Sequence, residues 1–323
     1  MTRKEKILWI FYAAVLVFLF LLSSTDLIIK EQKTEIYPLS VIIEGSGDEH
    51  YMNFRKGMDR AAIELNADVR FISLYEENDD QQQLEMMVRE QQDGARALIV
   101  TPTNEAAMER AISGLNLTVP LVLVDSDVAS LAVSAVVTVD YFQMGQKLAK
   151  EVLRRHPDRP PVCFFQDGPK SDITARFEEG LRAVLVPAGY QPDVIIRQND
   201  KTFLQAIEGT ADQKTDGAVV IALDQESLGE AASILADSST DKSGVKGLYG
   251  RGATASILNY LDGNVISGLC VTDGFCAGYL SVKRAVEAVT KQPTEKKTLM
   301  ESYYIEKEDL RNIRYEKMLY PIE

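Results

Sequence analysis

The chain has little of what metal-binding, disulfide-built and catalytic proteins need. Its 323 residues hold two histidines, His50 and His156, and three cysteines, Cys163, Cys270 and Cys276. Two histidines cannot build a His-rich metal site, so no metal or other cofactor is expected. Three cysteines are too few, and odd in number, for a disulfide framework. Cys163 and Cys270 sit in apolar, strand-like runs and read as small buried hydrophobes, which leaves a Cys270 to Cys276 bridge open. A Gly-x-Ser-x-Gly elbow, a His-Glu-x-x-His helix and a Cys-x-x-Cys pair are all missing, so the chain is not expected to be an enzyme. Basic surface is missing too: the formal charge is −13, against a nucleic-acid partner.

Charge of either sign is absent from Ile7 to Thr25, directly after Arg3, Lys4 and Lys6. As a helix this run spans roughly 28 Å at about 1.5 Å per residue, enough for a bilayer core. The basic residues precede it, which keeps the N-terminus in the cytoplasm and sends the remainder outside. Small-x-small spacing is poor around Leu21, Leu22, Ser23 and Ser24, so the run reads as an uncleaved anchor in preference to a signal peptide. The expected layout is a stub (1–6), an anchor (7–25) and a linker (26–37), followed by an extracytoplasmic, single-pass, membrane-tethered body.

That body alternates short apolar runs with amphipathic ones. Strands are expected at 39–44, 69–74, 97–100, 121–124, 135–139, 162–165, 194–197, 218–222, 245–249 and 265–271. Several are continuous apolar runs without polar alternation, as a parallel sheet covered on both faces requires. Met58, Ala61, Ala62 and Leu65 share one helix face, as do Phe275, Tyr279, Val282, Val286 and Val289. "QQDGARALIVTPTNEAA" from Gln91 and "QKTDGAVVIALDQESLGEAA" from Gln213 repeat one pattern: helix end, Asp-Gly-Ala, strand, polar turn, helix. The fold class is therefore α/β, with two doubly wound parallel-sheet lobes.

Ligands of such sheets bind where strand C-termini enter helices. Gly45-Ser46-Gly47 opens one of these junctions, but Asp48 and Glu49 place negative charge where a phosphate would sit, so it is not a phosphate loop. It presents Asp48, His50 and Tyr51, a carboxylate beside aromatic surface. The other junctions offer Asp125, Ser126 and Asp127, then Arg176, Asp224, Arg251 between two glycines, and Thr272. Charges of both signs face the expected cleft. Asp125 and Asp224 as a glycosidase pair is a reading without support from spacing.

The order of these pieces resembles the type I periplasmic binding protein family, which includes the ribose- and galactose-binding proteins and the cores of lactose-repressor-like regulators. The resemblance rests on "DGARALIVTPTNEAAMERAI", "VPLVLVDSD", "VTVDYFQMGQKLAKEVL", "DGAVVIALDQESLGEAA" and "YLDGNVISGLCVTDGFCAGYLSVKRAVE", and covers residues 38 to 320. It implies two lobes, 38–139 plus 273–301 and 140–272 plus 302–323, joined by three crossovers and closing on a small polar, sugar-like ligand. The ligand-binding residues it implies are Asp48, His50, Tyr51, Asp125, Ser126, Arg176, Asp224, Arg251 and Thr272. Several depart from the family: Ser126 stands for a usual Arg, Asp224 for a common Asn, Arg251 for a typical Asp, and Thr272 for a Gln. Arg176 is one position off the family's spacing to Gly180. A membrane permease of the ABC type is the implied partner, with a sensor kinase as the alternative.

Overall fold

In a computed structural model the described residues are 2–24, 35–43, 48–75, 79–128, 130–168, 170–212, 217–237 and 244–321. The expected turn at Gly45 to Gly47, Asp216, and most of the linker lie outside them. Residues 1–36 and 37–323 form separate units. The first contains helix α1 (Arg3–Ser24), long and apolar enough to cross a membrane by length and composition.

In the second unit, runs such as Ala-Leu-Ile-Val at 97–100 and Leu-Val-Leu-Val at 121–124 are buried on both faces, so successive side chains feed two different cores. The strands are β1 (Tyr37–Ile43), β2 (Ala67–Ser73), β3 (Ala97–Val100), β4 (Leu121–Val124), β5 (Val133–Val139), β6 (Val162–Gln166), β7 (Asp193–Ile196), β8 (Ala218–Ala222), β9 (Val245–Arg251), β10 (Gly268–Thr272), β11 (Lys297–Met300) and β12 (Ser302–Ile305). One sheet has the order β11-β5-β4-β3-β1-β2, the other β12-β10-β9-β8-β6-β7. All pairings are parallel except β10 with β12. The chain therefore crosses between lobes after β5, after β10, and between β11 and β12.

The helices are α2 (Asp48–Leu65), α3 (Asp80–Gln92), α4 (Glu105–Ile112), α5 (Tyr141–Arg155), α6 (Asp172–Leu185), α7 (Thr202–Asp212), α8 (Gln225–Ala236), α9 (Ala255–Asp262), α10 (Gly274–Val289) and α11 (Ile313–Leu319). Leu39, Val41 and Ile43 of β1 pack with α2 and α10, while Ile42 points to the opposite core, with Met86 and Met87 of α3 and Met108 of α4. In the second lobe Phe164 faces α5 and α6, and Phe165 faces the opposite core, stacked on Phe203 of α7. Burying each such aliphatic or aromatic side chain stabilises the fold by about 1.5–3 kcal/mol.

Each lobe closes one face with a tightly crossed helix pair. A Cβ at Gly57 (α2) or Gly278 (α10) would fall inside 3.0 Å of the carbonyl oxygen of Phe275 or Phe54, respectively. Gly145 (α5) and Gly180 (α6) meet Phe177 and Phe142 in the same way. All four sit in Phe-x-x-Gly: "FRKG", "FCAG", "FQMG" and "FEEG".

Some strand limits differ from the sequence reading for visible reasons. Val265 and Ile266 do not open β10, because both backbone N–H groups are bound to the Tyr260 carbonyl at the end of α9. The edge strands β11 and β12 are new, and β9 runs on through Arg251, which is therefore a strand residue and not part of a free turn. Cys163, Cys270 and Cys276 are all free thiols.

Candidate functional site

The C-terminal ends of the two sheets face each other across a cavity of about 310 Å³. Four of the sequence-predicted residues line it: Tyr51 in the first turns of α2, Asp125 after β4, Arg251 at the end of β9 and Thr272 at the end of β10. The first residues of α5, α8, α9 and α10, which are Tyr141, Gln225, Ala255 and Gly274, also reach it, so several helix N-termini converge. Leu319, Tyr320 and Pro321 of the C-terminal segment also line it.

Asp125 is half-buried and adopts a left-handed backbone, φ +50°, a conformation that Asp tolerates better than most side chains. Its N–H donates to the Val137 carbonyl at 2.9 Å, which turns the chain off β4 and leaves the carboxylate on the cavity wall. Burial pushes this carboxyl above the ordinary range, against the opposing pull of the Tyr141 hydroxyl that donates to it and of the Arg251 charge. Burial, with Asp125 beside it, likewise drives the Tyr141 phenol upward, so Tyr141 stays a donor.

Arg251 crosses the lobe interior. Its Nε donates to the Leu223 carbonyl at 2.9 Å and its Nη2 to Thr174 Oγ1 at 3.3 Å. The guanidinium lies 5.6 Å from the Tyr141 ring centroid and 5.8 Å from that of Phe177, within cation–π range of both. Tyr51 lines the cavity and forms T-shaped pairs with Phe54 and Phe71, ring centroids 6.2 and 6.1 Å apart.

The other predicted residues stand elsewhere. Asp224 is buried and caps α8, accepting from the Ser227 N–H at 2.7 Å and the Asp167 N–H at 2.9 Å. With both oxygens so engaged it is not poised as an acid or base opposite Asp125. Burial raises its carboxyl as well, opposed by its bonds to Ser227 and Asp167 and by the nearby Arg251 charge. Ser126 is fully buried, and its Oγ accepts from the Val128 N–H at 3.1 Å, a local turn bond. The Asp48 and His50 side chains lie outside the described residues.

Arg176 serves the rim. From α6 in the second lobe it pairs with Glu105 of α4 in the first, and its Nε lies 3.3 Å from Asp127. The Glu105 N–H donates back across the cleft to Asp172 at 2.9 Å. On another rim, Glu49 accepts from the Ser256 N–H at 2.8 Å and from its Oγ at 3.2 Å. A third link ties α2 to the C-terminal segment: Asn53 Nδ2 donates to the Leu319 carbonyl at 3.4 Å and Lys56 Nζ to that of Pro321 at 3.2 Å. The lobes are thus latched by three separate links.

Sequence reasoning missed Glu49, Tyr141, Gln225 and the Leu319–Pro321 segment. Tyr141 had a signal, since it directly follows the crossover at Asp140. The C-terminal segment had none. Among the described residues no group of three or more His, Cys, Asp or Glu is placed to hold a metal ion.

A search of curated proteins finds no match to the chain. Solved structures match its fold: a solute-binding protein of an ABC transporter from Agrobacterium vitis bound with α-D-tagatopyranose has a TM-score of 0.75 at 15% identity, covering 88% of this chain and 100% of that one. One from Bacillus halodurans with bound myo-inositol has a TM-score of 0.74 at 18% identity, covering 89% and 99%. A complex of the TorS sensor domain with TorT, in the absence of ligand, includes a match with a TM-score of 0.74 at 17% identity, covering 88% and 98%. A family model described as a periplasmic binding protein domain matches residues 39–293, the span that holds both sheets up to β10 and most of the cavity wall, and the chain belongs to that family.

Proposed function

We propose that the chain is an extracytoplasmic solute-binding protein that closes its lobes on a small polar, sugar-like ligand and presents the closed form to an ABC importer. The observation that carries this is the cavity between the two strand-end faces, polar on Asp125, Tyr141, Arg251 and Thr272 and bridged at its rims by Glu105–Arg176 and Glu49–Ser256. Such bridges exist only when the lobes are together, so a ligand that touches both lobes favours the bridged state by its differential affinity. The structural matches with bound tagatopyranose and myo-inositol support the ligand class. The lobes divide at 139/140, 272/273 and 301/302 in this reading, α1 is the tether, and the protein catalyses no reaction.

A second reading is a ligand-sensing co-receptor for a sensor kinase, favoured by the likeness to the TorT–TorS complex. Either way the membrane partner reads lobe closure.

The test is a thermal-shift panel of sugars and polyols on the full chain in detergent. A ligand at 100 times its Kd adds about 2.7 kcal/mol, a readily visible shift in Tm. Tyr141→Phe and Thr272→Ala should reduce the shift. A ligand whose shift is unaffected by both would place binding outside this cavity.

A further inference from the structure

The Arg251 fork is only partly used. A guanidinium has five N–H donors, and the described residues engage one on Nε, with Leu223, and one on Nη2, with Thr174. No described carboxylate lies within 4.0 Å of it. Asp125 and Asp224 feel its charge, yet Asp224 spends its oxygens on backbone N–H groups and Asp125 accepts from Tyr141. Their fields offset its charge at a distance, and the three remaining donors have no acceptor among the described residues.

We infer that Arg251 is an anion subsite and that the ligand is a polyhydroxylated carboxylic acid of sugar size; this rests on the solute-binding reading above. A half-buried guanidinium in a closing cleft loses water from donors that must then find acceptors, and an unpaired charge is costly to bury. A planar carboxylate satisfies two parallel donors at once, which a hydroxyl cannot. The rings of Tyr141 and Phe177 and the bond to Leu223 hold the fork in place before ligand arrives. Asp125, on the wall of the same cavity, is an acceptor suited to ligand hydroxyls, so the site holds one kind of partner for a carboxylate and another for hydroxyls. The first turns of α5, α8, α9 and α10 add partial positive charge to the same space, and Lys56 adds a cation at the rim. A cavity of about 310 Å³ is near the lower size limit for small-molecule sites, which suits a single sugar-sized molecule.

The experiment is calorimetric titration of the detergent-solubilised full chain with D-galacturonate and D-gluconate, each against its neutral counterpart, D-galactose and D-glucitol. At least one acid should bind about tenfold or more tightly than its counterpart, and more weakly as NaCl is raised. Arg251→Gln should remove that preference, and Arg251→Lys should restore part of it, with melting of each ligand-free variant confirming that it folds. A neutral compound binding as tightly as its acid, or an acid indifferent to Arg251→Gln, overturns the anion subsite and leaves the solute-binding reading standing. Failure of all four compounds, and of the wider neutral panel, overturns both.

Discussion

The two lobes are one unit used twice, and they match where backbone meets backbone but differ where side chains meet the cleft. The helices entered from the crossovers begin in the same way: Asp140 and Asp273 are N-caps with φ/ψ of −78°/88° and −81°/89°, each accepting from the N–H three residues on. Each is followed two residues later by Phe-x-x-Gly. At equivalent strand ends, in contrast, β4 delivers Asp125 and β9 delivers Arg251, while the residue after the Asp cap is Tyr141 in one lobe and Gly274 in the other. Packing sets the common part and ligand chemistry the divergent part.

The largest expected effects come from the shared helix pairs. Gly57→Ala, Gly278→Ala, Gly145→Ala and Gly180→Ala each push a methyl against a carbonyl of the facing helix, backbone that cannot rotate away. Each should cost about 1–3 kcal/mol in denaturant unfolding. Gly209→Ala and Gly229→Ala, in helices with nothing within 4 Å of the added atom, should instead gain about 0.5–1 kcal/mol. Sensitivity in one lobe only would break the equivalence.

Next come the caps. Asn104 of α4 and Asp224 of α8 follow equivalent strands, β3 and β8, and each accepts from the N–H three residues on, at 2.8 Å and 2.7 Å. Asn104 is solvated whereas Asp224 is buried and also holds Asp167. Asn104→Ala should therefore cost about 1 kcal/mol, and Asp224→Ala more, up to about 3 kcal/mol. Equal losses in thermal melts would show that the Asp167 bond adds nothing.

These contrasts also mark what the sequence made legible. Apolar runs and the Asp-Gly-Ala repeat revealed the alternating elements and the doubling, because burial and turn geometry act locally and leave a local pattern; Gly94 and Gly217 do take left-handed backbones, φ +96° and +77°. The edge strands were not legible, since β11 is four residues long with Leu299 55% exposed. Nor was the partition of strand-end residues. Asp224 and Asp125 look alike in sequence, and only the fold shows that one is spent on backbone N–H groups while the other faces the cavity. Arg176 reads as a ligand contact until Glu105 and Asp127, distant in sequence, are seen beside it.

The latches sharpen the comparison with smaller effects. Arg176→Ala removes the ion pairs of one rim, and Glu49→Ala the bonds to Ser256 on another, both across the cleft. Partly exposed pairs contribute about 0.2–1 kcal/mol, so ligand affinity should fall by a factor of about 1.4 to 5 in each. Only Arg176→Ala should also flatten the salt dependence of binding, because Ser256 is neutral. An unchanged affinity in both would mean that these bonds play no part in closure.

The smallest effect is the pH dependence carried by Asp125, and its sign separates two arrangements of the cleft. Burial holds this carboxyl above its ordinary value of 3.8, so the folded protein takes up the proton at a higher pH than the unfolded chain. Its ionisation costs stability above the folded value and costs nothing below the unfolded one, and between them the cost grows with pH. Tyr141 and Arg251 act on the same group and Tyr51 acts on Tyr141, and they, like the raised carboxyls of Asp224 and Asp273, are present in parent and variant alike. In ligand-free Asp125→Asn the melting temperature should exceed the parent's at pH 7, and the pH-dependent part of that advantage should vanish as the pH falls toward about 4. If Arg251 were instead a full partner of Asp125, the carboxyl would be depressed. The variant would then melt below the parent at neutral pH, and the donors assigned to a ligand carboxylate would already be taken.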